Sequence, residues 1–128
     1  MSSSTGAITV TETPETITRL NRYTCWERVI TFTAVTADTA GTATVPINGL
    51  LQKIIWKRPD LANNDLTSTL ALTDNGDNTI FTTGGGLAEN ATSIYSVSEP
   101  LVNEVNVVLT FNEAVGAAGT FVLTLRGV

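Results

Sequence analysis

The sequence has no histidine and one cysteine, Cys25, and its 7 Lys and Arg are outnumbered by 12 Asp and Glu. Without histidine, His-based catalytic triads, dyads and metal sites are excluded. A single cysteine cannot close an internal disulfide, so the fold does not depend on an oxidising compartment. Beside Trp26, that cysteine reads as a packed thiol. The net charge is −5 and the longest basic cluster is Lys57-Arg58. Nothing here would neutralise a phosphate backbone, so nucleic acid is not an expected partner. No apolar run approaches the roughly 20 residues of a spanning helix, so no membrane partner is expected. The opening Met-Ser-Ser-Ser-Thr-Gly lacks the charged and apolar regions of a secretion signal, and none is expected. Charged residues make up 15% of the chain, against about 25% in typical soluble domains. So little surface charge has two readings, a partner that covers part of the exterior or a small β-protein with a Thr-rich surface.

What remains is a β-rich mixture of Thr, Val, Ile and Leu with turn residues between short alternating runs. Its 128 residues make one domain, able to bury roughly two thirds of its unfolded surface. In Leu101 to Phe111 the odd positions Val105, Val107, Leu109 and Phe111 are apolar, and Glu104, Asn106 and Thr110 alternate with them. Phe121, Leu123 and Leu125 repeat this pattern against Thr120, Thr124 and Arg126. Successive strand residues point to opposite faces, so each run has a greasy and a polar face. Only the Ala- and Gly-rich stretch 112–119 separates them, so they read as an antiparallel hairpin. Ile30, Phe32 and Ala34, and then Leu66, Leu70 and Leu72, mark further strands, and a short helix or turn is allowed around Leu20 to Trp26. With eight to ten such strands and no helical period, the expected fold is an all-β antiparallel sandwich, jelly-roll-like.

Residues 21–128 form this sandwich. Residues 1–20, interrupted by Pro14, read as an N-terminal arm or an edge strand, because Pro cannot donate to a ladder. In Leu50 to Lys57 one face carries Leu50, Ile54 and Trp56. The other carries Leu51 and Ile55 between Lys53 and Lys57. Apolar residues on both faces of a strand predict burial on both sides, one of them by a neighbouring chain. The candidate interface is therefore Leu51, Lys53, Ile55 and Lys57, with Ile8, Val10 and Ile17 from the arm.

Chemical motifs give little. Glu12 with Glu15, Asp60 with Asp65, and Glu99 with Glu104 are carboxylate pairs placed where solvated acids lie. Asp74 to Asn78 resembles the start of a calcium loop, but the third position is Gly76 and the twelfth Gly85, so a hairpin turn is expected. Gly84-Gly85-Gly86 has no following Lys and is no phosphate loop. No catalytic residue, metal or cofactor is expected. Trp26, Trp56, Tyr23 and Tyr95 leave one alternative, a glycan- or receptor-binding module, since aromatic faces stack on sugars.

Val45-Pro46-Ile47-Asn48-Gly49-Leu50-Leu51, Leu70-Ala71-Leu72-Thr73-Asp74, Gly86-Leu87-Ala88-Glu89-Asn90, Glu99-Pro100-Leu101 and Gly119 to Arg126 occur in this order across residues 45–126. In this arrangement the chain resembles the small β-sandwich virion proteins of tailed bacteriophages, especially capsid decoration (cement) proteins. The resemblance implies a non-enzymatic structural role on the capsid surface of a virion, after synthesis in the host cytoplasm. It implies the major capsid protein as partner and a homo-oligomer, with a trimer favoured by the three-fold positions of an icosahedral shell.

Overall fold

In the computed structural model, residues 9–12, 16–20, 23–35, 37–61, 65–116 and 118–128 are described, with side chains from residue 25 onward. The described residues form strands and no helix. They build two facing antiparallel sheets, the sandwich that the alternating pattern predicts.

The six-stranded sheet holds β1 (Thr9–Glu12), β2 (Thr16–Leu20), β3 (Tyr23–Ala34), β5 (Gly49–Arg58), β9 (Ala91–Leu101) and β11 (Gly119–Gly127). Its order is β1-β3-β11-β5-β9, with β2 also paired to β3. The five-stranded sheet has the order β4-β10-β6-β7, from β4 (Ala40–Pro46), β10 (Glu104–Phe111), β6 (Thr67–Thr73) and β7 (Thr79–Thr82), with β8 (Leu87–Ala88) also on β6. Four strands β3-β11-β5-β9 facing four strands β4-β10-β6-β7 is the jelly-roll order.

This order corrects the local pairings expected from sequence. β10 and β11 do not form a hairpin: β10 lies between β4 and β6, and β11 lies between β3 and β5. The intervening stretch crosses from one sheet to the other, so their apolar faces meet across the core. Alternation fixes which side chains point inward, but not which strand lies alongside. The β6–β7 turn is a true local hairpin. Where the sequence allows a short helix or turn around Leu20 to Trp26, the described residues hold no helix: β2 runs to Leu20, and β3 begins at Tyr23 and pairs with it. Pro100 lies within a strand. β9 continues through it to Leu101, which an edge strand tolerates because the missing donor would face outward.

The core is what the alternation supplies. β3 sends in Trp26, Ile30, Phe32 and Ala34, and β11 sends in Phe121, Leu123 and Leu125. Opposite them lie Val105, Val107, Leu109 and Phe111 of β10 and Leu70 and Leu72 of β6. Trp56 sits at the centre, stacked on Phe121 at 5.7 Å and edge-on to Phe32 at 6.0 Å. Its indole N–H donates to the Ser68 hydroxyl of the other sheet at 3.1 Å. A buried indole needs that partner, because an unmet donor in the core costs about 1–3 kcal/mol. Phe111 and Phe121, 5.0 Å apart, continue the aromatic contact between the sheets.

One irregularity matters for function. Against both neighbours the register of β5 shifts between Leu51 and Lys53: against β11 Gln52 is an extra residue, and against β9 the extra residue belongs to β9, where Val97 and Ser98 together face Gln52. Such a bulge lets two successive side chains leave on one side and reverses the inward set beyond it. Gln52 and Lys53 are both exposed, and Leu51 joins Ile54 and Trp56 in the core at 0% exposure. The outward placement of Leu51 read from strict alternation is therefore corrected. Gly127 lies across from the bulge, where a Cβ would run into the Leu50 carbonyl and the Trp26 ring, so the close approach requires glycine.

Candidate functional site

The outward face of the six-stranded sheet is where the sequence-predicted interface residues can be tested. Reading across β3, β11, β5 and β9, Val29, Thr124, Ile55 and Ile94 lie in one row. On one side of it runs Glu27, Arg126, Lys53 and Ser96, and on the other Thr31, Val122, Lys57 and Thr92. The result is a thin apolar row between two rows that carry cations. Ile94, 61% exposed, is its outermost member.

Lys53, Ile55 and Lys57 share this face, as the alternation predicts, whereas Leu51 is in the core. Ile8 lies outside the described residues. Val10 and Ile17 belong to β1 and β2, whose backbones sit beside β3, opposite Phe32 and Trp26; their side chains also lie outside the described set. Two strands separate β1 from β5, and Val10 lies in the row of Phe32 and Phe121 rather than that of Ile55, so the two backbones are more than about 14 Å apart at the usual strand spacing. The structure does not bring the two candidate groups together. Arg126 and Ile94 escaped the sequence reading. Each stood on the outward side of its own strand, but their place beside Lys53 and Ile55 depends on pairings between strands far apart in sequence.

The charge distribution is uneven. Among the described side chains, every exposed cation (Lys53, Lys57 and Arg126) lies on this face, and the other two, Arg28 and Arg58, are turned inward and buried. Arg126 pairs with Glu27 directly across the ladder, Nε to Oε2 at 2.6 Å. Exposed acids such as Asp60, Asp65, Asp77 and Glu113 lie in connecting segments. Among the described side chains, the exposed positive charge of this acidic chain is thus gathered on one face. Beside the bulge the face dips into an open groove lined by Cys25, Glu27, Gln52, Lys53 and Arg126. Cys25 is exposed there, which corrects its reading as a packed thiol.

The inward arginines are structural. Arg28 donates to the Pro46 carbonyl at 3.1 Å. Arg58 donates to the Ala88 and Trp56 carbonyls and to the Ser93 hydroxyl, tying the end of β5 to β8 and β9. Desolvation lowers the pKa of both, and in Arg58 the Tyr95 charge works the other way.

The aromatic residues do not form a sugar platform. Trp56 is fully buried and Trp26 nearly so, with its N–H donated to the Val128 carbonyl at 3.2 Å. Tyr95 packs edge-on against Phe81 at 4.9 Å, and the Tyr23 side chain lies outside the described residues. The Asp74 carboxylate is engaged in its own turn, accepting from the N–H groups of Gly76 and Asn78 and from the Asn78 amide. The Asn78 backbone bond above all, with the Asn78 side chain and Gly76, lowers its pKa. Among the described residues, no three His, Cys, Asp or Glu side chains are grouped to hold a metal.

No family model matches this chain, and no curated protein does. Several solved structures are similar in fold, and two of them are informative. The pre-peptidase C-terminal domain of collagenase from Bacillus anthracis superposes with a TM-score of 0.52 over 76% of this chain and 86% of its own, at 13% identity. The Bacillus endospore appendage structure, described as a novel family of disulfide-linked pili, has a TM-score of 0.51 over 99% of this chain and 95% of its own, at 14% identity. At these identities the likeness concerns the β-sandwich alone.

Proposed function

We propose that this chain is a non-enzymatic structural subunit of a phage particle, a decoration or cement protein that binds and stabilises the outer capsid surface through its six-stranded sheet. The observation that carries this reading is the outward row Val29, Thr124, Ile55 and Ile94 flanked by Lys53, Lys57 and Arg126. Apolar side chains beside cations suit a broad, acidic protein surface: the charges steer approach and the aliphatic row is dehydrated on contact. The sequence resemblance supplies the particle, and the major capsid protein is the partner. A chain of similar fold and nearly equal length builds Bacillus pili, a precedent for assembly by such a sandwich. The disulfide linkage of those pili does not carry over, since one cysteine per chain can join only two copies.

The test is reconstitution. Purified protein is added to shells of the encoding phage that lack it, then followed by cosedimentation and electron microscopy. Added density on the outer surface and a higher disruption temperature are expected. Protein that stays in the supernatant at saturating concentration, with shells unchanged, contradicts the reading.

A further inference from the structure

A sheet edge is an unfinished ladder, and most proteins shorten it, charge it or cover it. Three of the four edges here are managed in this way. β1 and β2 are 4 and 5 residues long, and β7 and β8 are 4 and 2. β4 ends in Pro46 and lies near β1. β9 is different. It runs for 11 residues, pairs only with β5, and from Ala91 to Ser96, ahead of its bulge at Val97 and Ser98, carries no charged residue and no proline.

The polarity of its free groups follows from one bond. The Asn90 N–H donates to the Pro59 carbonyl at 2.8 Å, and these two residues extend the β5–β9 register in which Arg58 faces Ala91. Bonded and non-bonded pairs alternate in an antiparallel ladder. Thr92, Ile94 and Ser96 therefore bond to β5, and Ser93 and Tyr95 turn their N–H and C=O groups to the open side. A second feature lies along the same side. Phe81, Leu87, Tyr95 and Val97 are only partly buried, leaving an apolar lip between the two sheets.

We infer that β9 pairs with β9 of a second copy, antiparallel about a two-fold axis, joining two six-stranded sheets into one continuous sheet. The register that uses the free groups bonds Ser93 to Tyr95 of the partner and the reverse. That register places the two Ile94 side chains directly opposite each other on the outward face. It explains why the most exposed large aliphatic stands mid-strand on an uncharged edge: its cover is its own symmetry mate. The partner's inward side chains close over the lip. An isologous contact of this kind is the commonest symmetry of soluble oligomers. It replaces the three-fold expectation drawn from the resemblance, because an edge that pairs with itself is used up in a dimer. The pairing holds whether or not the outer face meets a capsid, and it is tested without one.

Sedimentation of the intact chain from about 1 µM to about 1 mM should show a monomer–dimer equilibrium. Amide exchange on the concentrated sample should show the Ser93 and Tyr95 N–H groups protected, and protection should fall on dilution. Ile94→Lys puts like charges face to face at the axis and should weaken the dimer at least about tenfold, with the melting temperature of the dilute monomer unchanged. Ile94→Thr should weaken it less. A monomer throughout the range overturns the inference. So does a trimer, or a dimer whose Ser93 and Tyr95 amides exchange as in dilute protein or whose affinity ignores Ile94→Lys.

Discussion

The two inward faces of the sandwich are alike, and the two outward faces are not. Both inward faces are aliphatic and aromatic. Outside, the six-stranded sheet carries Lys53, Lys57 and Arg126 around Ile55 and Ile94. The five-stranded sheet carries Thr42, Val108, Ala71 and Thr82 in one row and Thr44, Asn106, Thr73 and Thr79 in the next. Glu104 is the only charged residue within its strands. Its polar groups partly serve one another, as where the Thr44 hydroxyl donates to the Asn106 amide oxygen at 2.8 Å. Folding asks the same of both sheets, an apolar side facing in, and leaves the outer side free to differ. The difference therefore points to partners rather than to folding.

The largest expected effect tests the boundary between inside and outside on β5. Leu51→Ala should destabilise the fold by about 2–5 kcal/mol, as for a buried Leu. Ile55→Ala, on the half-exposed outer row, should cost about 1 kcal/mol or less. Equal effects in urea melts would break the comparison, because both would then lie on one face. Next is the glycine that accommodates the bulge. Gly127→Ala forces a methyl against the Leu50 carbonyl and should cost about 1–3 kcal/mol. A neutral result would mean that β5 and β11 separate there.

Smaller effects sharpen the electrostatic side. A double-mutant cycle on Glu27 and Arg126, side chains 38% and 54% exposed, should give a coupling of about 0.2–1 kcal/mol that shrinks with added salt. A larger, salt-independent value would mean a dehydrated pair, unlike the open face described. The smallest effect belongs to an acid away from that face. The folded pKa of Asp74 is lowered, so its turn bonds are fully present above the unfolded value near 3.9 and are lost as pH falls through the lower folded value. Loss of protection of the Gly76 and Asn78 amides, measured against the unstructured exchange rate at the same pH, is expected only in that acid range. In Asp74→Asn the protection of these amides should not change on acidification.

The sequence made the class of fold legible because alternation at Ile30, Phe32 and Ala34, at Leu70 and Leu72, and at Val105 to Phe111 is a local signal. It could not reveal that β10 and β11 lie in different sheets, since a chain reversal and a crossing need similar connecting lengths. Nor could it reveal the bulge, which lies in the ladder: Gln52 is ordinary as a residue and extra only relative to Arg126 and Gly127. For that reason Lys53, Ile55 and Lys57 were placed correctly on one face and Leu51 was not. Arg126 and Ile94 complete the face through pairings of distant strands that no local pattern encodes.

The central claim is that one outward face, and not the other, meets the particle. Its most direct test is a matched pair of charge variants. Lys53→Glu with Lys57→Glu alters the six-stranded face, and Thr44→Glu with Thr110→Glu alters the five-stranded face. All four positions are exposed, so both proteins should fold with melting temperatures close to the parent. Binding to shells lacking the protein should fall at least about tenfold for the lysine pair, equivalent to about 1.4 kcal/mol, and stay near the parent value for the threonine pair. The opposite order, or equal loss from both, would contradict the assignment of the contact to the six-stranded sheet.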